Sequence, residues 1–212
     1  MGEKYLSMSP RERDPSVPSP PQTAPGQGKQ GDPARVRYWP LPDLGRILPP
    51  EGAAGSFWED RGDRRHAGTD LYAPAGTRVV SIEDGTVLSA GIFTSPALVP
   101  YWNRTYQVTI AHASGIYCRY AELGDLTVEG GAEVDGGGII GHVGEVLNLS
   151  LIGRESPAYI RALKELGRPS MLHLEVFTSA PDTDPDYWGG NWFSQEKPAH
   201  LLDPADILRY TV

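Results

Sequence analysis

From Asp70 to Leu123 the chain alternates short apolar runs with turn residues, a spacing that suits strands rather than helices. Leu71-Tyr72-Ala73 ends at Pro74-Ala75-Gly76, Arg78-Val79-Val80-Ser81-Ile82 ends at Glu83-Asp84-Gly85, and Thr86-Val87-Leu88-Ser89-Ala90 ends at Gly91. Asp-Gly and Pro/Gly punctuation of this kind predicts hairpins between successive runs. Tyr106 to Ala111 and Ile116 to Ala121 flank His112-Ala113-Ser114-Gly115 as a second hairpin, and Leu126-Thr127-Val128 with Gly138-Ile139-Ile140-Gly141 make a further pair. The order of small-residue turn, valine and glycine-led strand in residues 75–87 recurs faintly in residues 131–140. Two copies are too few for a solenoid but suit a sheet built from duplicated hairpins.

One segment breaks the pattern. Ser156 as N-cap, Pro157 as first helical residue, the stripe Ile160, Leu163, Leu166 and the closing Gly167 predict an inserted helix over residues 156–167. Beyond it, Met171 to Phe177 alternates as a strand does: Leu172, Leu174 and Val176 share one face, and Met171, His173, Glu175 and Phe177 share the other. The first set reads as a core face; the second sets a histidine beside a carboxylate. Residues 1–35 are rich in Pro, Ser, Gln and Gly and poor in apolar residues, which predicts a disordered tail. The folded domain is expected over residues 36–212.

Composition narrows the partners. A formal net charge of -8 over 212 residues, with no basic stripe, argues against a nucleic-acid partner. No stretch approaches the roughly 18 apolar residues of a membrane span, and no signal peptide is visible at the amino terminus. The one cysteine, Cys118, permits no internal disulfide.

Candidate chemistry starts at His66-Ala67-Gly68-Thr69-Asp70, an imidazole and a carboxylate with a glycine between them. On a straight strand the pair would be about 13 Å apart, too far to share an ion whose ligands each lie about 2 Å away. A turn at Gly68 would bring them together.

These residues combine with Ala73-Pro74-Ala75-Gly76-Thr77, Ile110-Ala111-His112, Tyr120-Ala121-Glu122-Leu123, Gly141-His142-Val143-Gly144 and Leu172-His173-Leu174-Glu175. In order and spacing over residues 55–180 the set resembles the LytM/lysostaphin family of zinc metalloendopeptidases. The resemblance implies an all-β fold, an antiparallel sheet of the duplicated-hybrid-motif type, here with one inserted α-helix. It also implies a Zn2+ cofactor held by His66, Asp70 and His173, with a fourth position open to water as in catalytic rather than structural zinc sites. Glu175 would then support a ligand from behind. The implied activity is hydrolysis of peptide bonds in peptidoglycan cross-links or stem peptides. The family's setting is the cell envelope or extracellular space, although a chain without a visible signal also fits the cytoplasm.

Two departures qualify that activity. Glu122 stands where the family pattern Tyr-x-His-Leu has histidine, and Met171 stands at the first position of its His-x-His. Glu122 is a candidate general base. Strand alternation groups Glu122 with Tyr120 and sets Arg119 on the other face, so Tyr120 is a candidate donor in place of the missing histidine. Met171 donates no hydrogen bond, and losing one donor to a developing oxyanion costs on the order of 100-fold to 1000-fold in rate. The alternative expectation is a catalytically weak or inactive zinc-containing module that binds cell-wall peptides or regulates another hydrolase.

Overall fold

All ten strand pairings among the described residues are antiparallel, the arrangement in which facing side chains share a face. The computed structural model describes residues 36–180 and 185–212; the tail expected over residues 1–35 lies outside the described residues. The strands in chain order are β1 (Arg65–His66), β2 (Thr69–Tyr72), β3 (Arg78–Val80), β4 (Gly85–Ile92), β5 (Tyr106–His112) and β6 (Tyr117–Leu126). They continue as β7 (Glu133–Val134), β8 (Ile139–Val143), β9 (Met171–Phe177), β10 (Tyr187–Trp188), β11 (Asn191–Trp192) and β12 (Leu201–Leu202). Two helices, α1 (Ala158–Glu165) and α2 (Pro204–Leu208), complete the described elements.

The main sheet runs β12-β9-β6-β5-β4-β7, with β2 also paired to β9 and β8 paired to both β3 and β6. The hairpin predicted around His112 to Gly115 is present as β5 against β6. The hairpins expected among the first three runs are not. Instead β2 pairs with β9, β3 with β8, and β4 with β5 and β7. The reason lies in the faint repeat: its first strand β3 pairs with the second strand β8 of the later copy, and β4 pairs with β7, so each copy completes the other.

Leu71, Val79, Ile82, Val108, Ile110, Tyr120, Leu123, Leu172, Leu174 and Val176 are buried together in the main core. This confirms the core face read from β9. The inserted helix is present, but Pro157 rather than Ser156 occupies its N-cap and no side chain caps it. The Ser156 hydroxyl instead accepts from the Gly153 N–H at 3.3 Å. Ile160 and Leu163 are buried while Leu166 is 58% exposed, so the apolar stripe is one turn shorter than predicted. The helix joins Val146, Leu147, Ile152 and Met171 in a second core cluster.

Between His66 and Thr69 the chain leaves the small sheet β1-β11-β10 and enters the large one. This change of sheet, rather than an unusual backbone angle at Gly68, is what bends the His66 to Asp70 segment. Gly68 is needed for space: a Cβ there would lie 2.5 Å from the Leu174 carbonyl oxygen and 2.8 Å from the His173 ring. Gly68→Ala is therefore expected to lower stability by about 1–3 kcal/mol, the usual cost of overpacking, measured by urea denaturation. Unchanged stability would show that the β2/β9 contact yields more easily than its spacing suggests.

Candidate active site

The register of β2 against β9 sets Asp70 directly opposite His173. Opposed residues on antiparallel strands share a face, so both side chains point to the side away from the Leu172/Leu174 core. His66 arrives from β1 on the adjoining sheet. His66 Nε2 is 3.0 Å from His173 Nδ1 and 3.1 Å from Asp70 Oδ1, and His173 Nδ1 is 2.8 Å from the same oxygen. Among the described residues these three form the group able to hold a metal ion, and all three are buried.

The donor set suits zinc. His66 Nδ1–H donates to the Ser56 carbonyl at 2.8 Å, leaving Nε2 toward the group. His173 Nε2–H donates to Glu175 Oε1 at 3.0 Å, leaving Nδ1 toward it. Each ring thus has its outer nitrogen fixed by an acceptor, as metal-ligating histidines do. The triangle edges are slightly shorter than the about 3.3 Å expected between ligands of a tetrahedral zinc with bonds near 2 Å, so a small outward movement accommodates the ion.

Charge around the site is heavily compensated. Burial opposes ionisation of Asp70, yet the adjacent His66 and the hydrogen bond from His173 hold its carboxyl well below the usual range. Burial, helped by the Arg61 charge, pushes the His66 pKa down, which keeps the ring neutral. Burial disfavours charge on His173 as well, but its bonds to Asp70 and Glu175 push its pKa up to about 10. Glu175 is also met by the Tyr187 hydroxyl at 2.7 Å and by Arg119 Nη1 at 3.0 Å. Glu175 thus meets the His173 ring at the nitrogen that faces away from Asp70.

Glu122 reaches the cleft by a route that alternation does not predict. Across the β5/β6 ladder Tyr106 faces Leu123 and Gln107 faces Ala121, leaving Glu122 as the extra residue of a bulge. Its φ is 67°, in the left-handed region. Such a bulge re-aims one side chain, and here it turns Glu122 onto the face of Ala121 and His173 while Leu123 returns to the core. Glu122 lines the cleft with Asp70, His173, Met171 and Arg61. Its Oε2 is buried with no hydrogen-bond partner among the described residues. Burial, then the nearby Asp70 carboxylate, pushes its pKa up to about 8.

The same bulge corrects two expectations. Tyr120 does not stand beside Glu122; it is fully buried in the main core. Its hydroxyl accepts the Ile82 N–H at 2.9 Å and lies 3.1 Å from His112 Nε2, so it has no place in the site. Arg119, set opposite Glu122 by alternation, is on the site face through Glu175. Met171 does face the cleft as expected, but packed with Ile160 and Leu163 of α1.

Residues 64–156 match the family model of Peptidase family M23. That stretch, 93 of the 212 residues, is similar to M23 peptidases. The match ends where the helix begins, so His173 lies outside it and meets Asp70 through the β2/β9 register. No curated protein sequence matches the chain. Among solved structures, the catalytic domain of the antimicrobial peptidase lysostaphin from Staphylococcus simulans is 19% identical over 68% of this chain and 80% of its own, with a TM-score of 0.43. A candidate glycyl-glycine endopeptidase LytM from Ruminococcus gnavus is 23% identical over 84% of this chain and 61% of its own, TM-score 0.48. A zinc-containing peptidase from Vibrio cholerae is 24% identical over 70% of this chain and 40% of its own, TM-score 0.44.

The polar frame of the site, Arg61, Arg119, Tyr187 and Asn191, was not foreseen from the sequence. Arg119 carried a usable signal, since a charge inside the apolar run Tyr117 to Ala121 must find a buried partner. Arg61 sits in the mixed-charge run Glu59 to Arg65, which reads as a solvated loop. The cavity at the site is small, about 50 Å³, and Phe93 stacks on the His173 ring at 6.0 Å between centroids. Among the described residues no helix is long and apolar enough to cross a membrane.

The Arg119–Glu175 pair is buried on both sides. Arg119→Met would leave the carboxylate uncompensated and is expected to cost about 3–5 kcal/mol, read from chemical denaturation. A change below about 1 kcal/mol, the level of an exposed pair, would mean that His173 and Tyr187 alone satisfy Glu175.

Proposed function

We propose that this domain is a zinc-dependent endopeptidase acting on peptide bonds of peptidoglycan cross-links or stem peptides. The observation that carries the reading is the convergence of His66 Nε2, Asp70 Oδ1 and His173 Nδ1 within 3.1 Å of one another. In this reading those three residues hold the ion, which when bound lowers the pKa of a water and polarises a carbonyl. Glu122 accepts the proton of the attacking water, because it is the remaining carboxylate of the cleft and its exchangeable oxygen has no other partner. Glu175, held by Arg119 and Tyr187, keeps the His173 ring oriented. The small cavity means that substrate enters only when the walls formed by Phe93, α1 and residues 187–191 part.

A second reading has one observation in its favour. Met171 and its neighbours Val146, Leu147, Ile160 and Leu163 make one wall of the cleft apolar, where a catalytic site gains from hydrogen-bond donors. On this reading the domain holds zinc and binds wall peptides without cleaving them.

Bound zinc in the purified chain, followed by incubation with peptidoglycan and mass analysis of the released fragments, separates the two. The expected result is one zinc per chain and fragments ending at a hydrolysed peptide bond. Glu122→Gln is expected to keep zinc and lose about 100-fold to 10,000-fold in cleavage rate. An unchanged rate in that variant would remove Glu122 as the base. Stoichiometric zinc without cleavage of several wall types leaves the binding module, and a chain that takes up no zinc defeats both readings.

A further inference from the structure

Arg61 is the one Lys or Arg side chain among the described residues lining the cleft that holds Asp70, Glu122 and His173. Its side chain is 10% exposed. Nε donates to Glu59 Oε2 at 3.3 Å, Nη1 to Asn191 Oδ1 at 3.2 Å and Nη2 to Asp70 Oδ2 at 3.4 Å. All three contacts are long for charge-assisted hydrogen bonds, which run nearer 2.8 Å. A guanidinium has five N–H donors, so one N–H on each terminal nitrogen stays uncommitted to these contacts. The plane rests on the Tyr159 ring of the inserted helix, 4.8 Å from its centroid, which holds the fork in place without using a donor.

The cation also has a chemical reason to be there. The Met171 wall offers no donor, and the Asp70 and Glu59 carboxylates, both hydrogen-bonded to Arg61, put negative charge beside the cleft. An incoming group with a negative oxygen would meet repulsion from these carboxylates unless a cation faced it. A planar fork with two spare N–H groups is the geometry that takes two oxygens of one anion.

We propose that Arg61 is the anion-binding residue of this cleft, taking a negatively charged oxygen of the bound peptide through the two N–H groups its present contacts leave over. Two sources share this chemistry: a carboxylate that the peptide carries in its ground state, and the oxygen that gains charge at the scissile carbonyl. The identity of the peptide rests on the peptidase reading above; the anion site does not.

The test uses the full chain and the variants Arg61→Gln and Arg61→Lys, with zinc content, near-ultraviolet circular dichroism and calorimetric binding of three probes. The probes are inorganic phosphate, N-acetylalanine as a simple carboxylate, and a phosphinate analogue of a Gly-Gly bond. Arg61→Gln is expected to keep metal and fold and to weaken phosphate and phosphinate binding by on the order of 10-fold to 100-fold, the worth of a charged hydrogen bond. Arg61→Lys, which keeps the charge near Asp70, is expected to recover phosphate binding in part and phosphinate binding less, because it lacks the fork. Loss of N-acetylalanine as well assigns the site to a ground-state carboxylate; loss of the phosphinate with N-acetylalanine unchanged assigns it to the reacting oxygen. Unchanged binding of all probes in both folded variants overturns the proposal. So does loss of metal in Arg61→Gln in step with probe binding, which would make Arg61 a positioning residue for Asp70. A wild-type chain that binds phosphate through Arg61 but cleaves no wall peptide would defeat the peptidase reading alone.

Discussion

The His173 ring is the constraint on which the rest of the structure depends. Gly68 and Gly190 flank it so closely that a Cβ at either position would lie within 2.9 Å of ring atoms. Phe93 stacks against it, Glu175 holds Nε2, and Asp70 and His66 meet Nδ1. Three distant parts of the chain must therefore arrive together: the sheet change at Ala67-Gly68, the β9 strand and the glycine-rich turn before β11. The β2/β9 register sets the ring opposite Asp70, and the β1/β11 pairing brings His66 and Gly190 beside it.

That ring also explains how so many buried charges coexist. Asp70 and Glu175 approach it from opposite sides, and each has an arginine behind it, Arg61 at 3.4 Å and Arg119 at 3.0 Å. Removing any one member leaves a buried charge with fewer partners, which costs more than the pair contributes as a whole. The frame is thus rigid for an electrostatic reason, and precise placement of the three candidate ligand atoms follows from it rather than from the loop that carries His66.

The sheet, the core face of β9 and the grouping of His66, Asp70 and His173 were legible in the sequence because each depends on local period or on motif order. Strand pairing was legible only in part: β5 with β6 and Leu126 with Gly141 pair as expected, whereas the chain bends at Asp84 and β3 and β4 leave it for partners in the later repeat. Face assignment failed at one residue for a local reason. Alternation holds from Cys118 to Ala121 and is reset by the bulge at Glu122, and a glutamate at positive φ has no sequence signature of the kind a glycine gives. Arg61 was illegible because its burial is imposed by Tyr159, which arrives from an insertion almost a hundred positions later.

Helix α1 and Met171 suit each other physically. The helix buries Ile160 and Leu163 against Met171, and a charged or polar ring there would lose its solvation against an apolar helix face. Methionine fills such a gap without needing a partner. Once that wall is apolar, polar chemistry has to enter from the other sides of the cleft. The bulge delivers Glu122 from β6, and the Tyr159 ring of the same helix supports Arg61 from the loop before β1. The helix thus makes one wall of the cleft apolar with one face and supports a cation with its first turn, so the apolar wall and the placed arginine are two effects of one element.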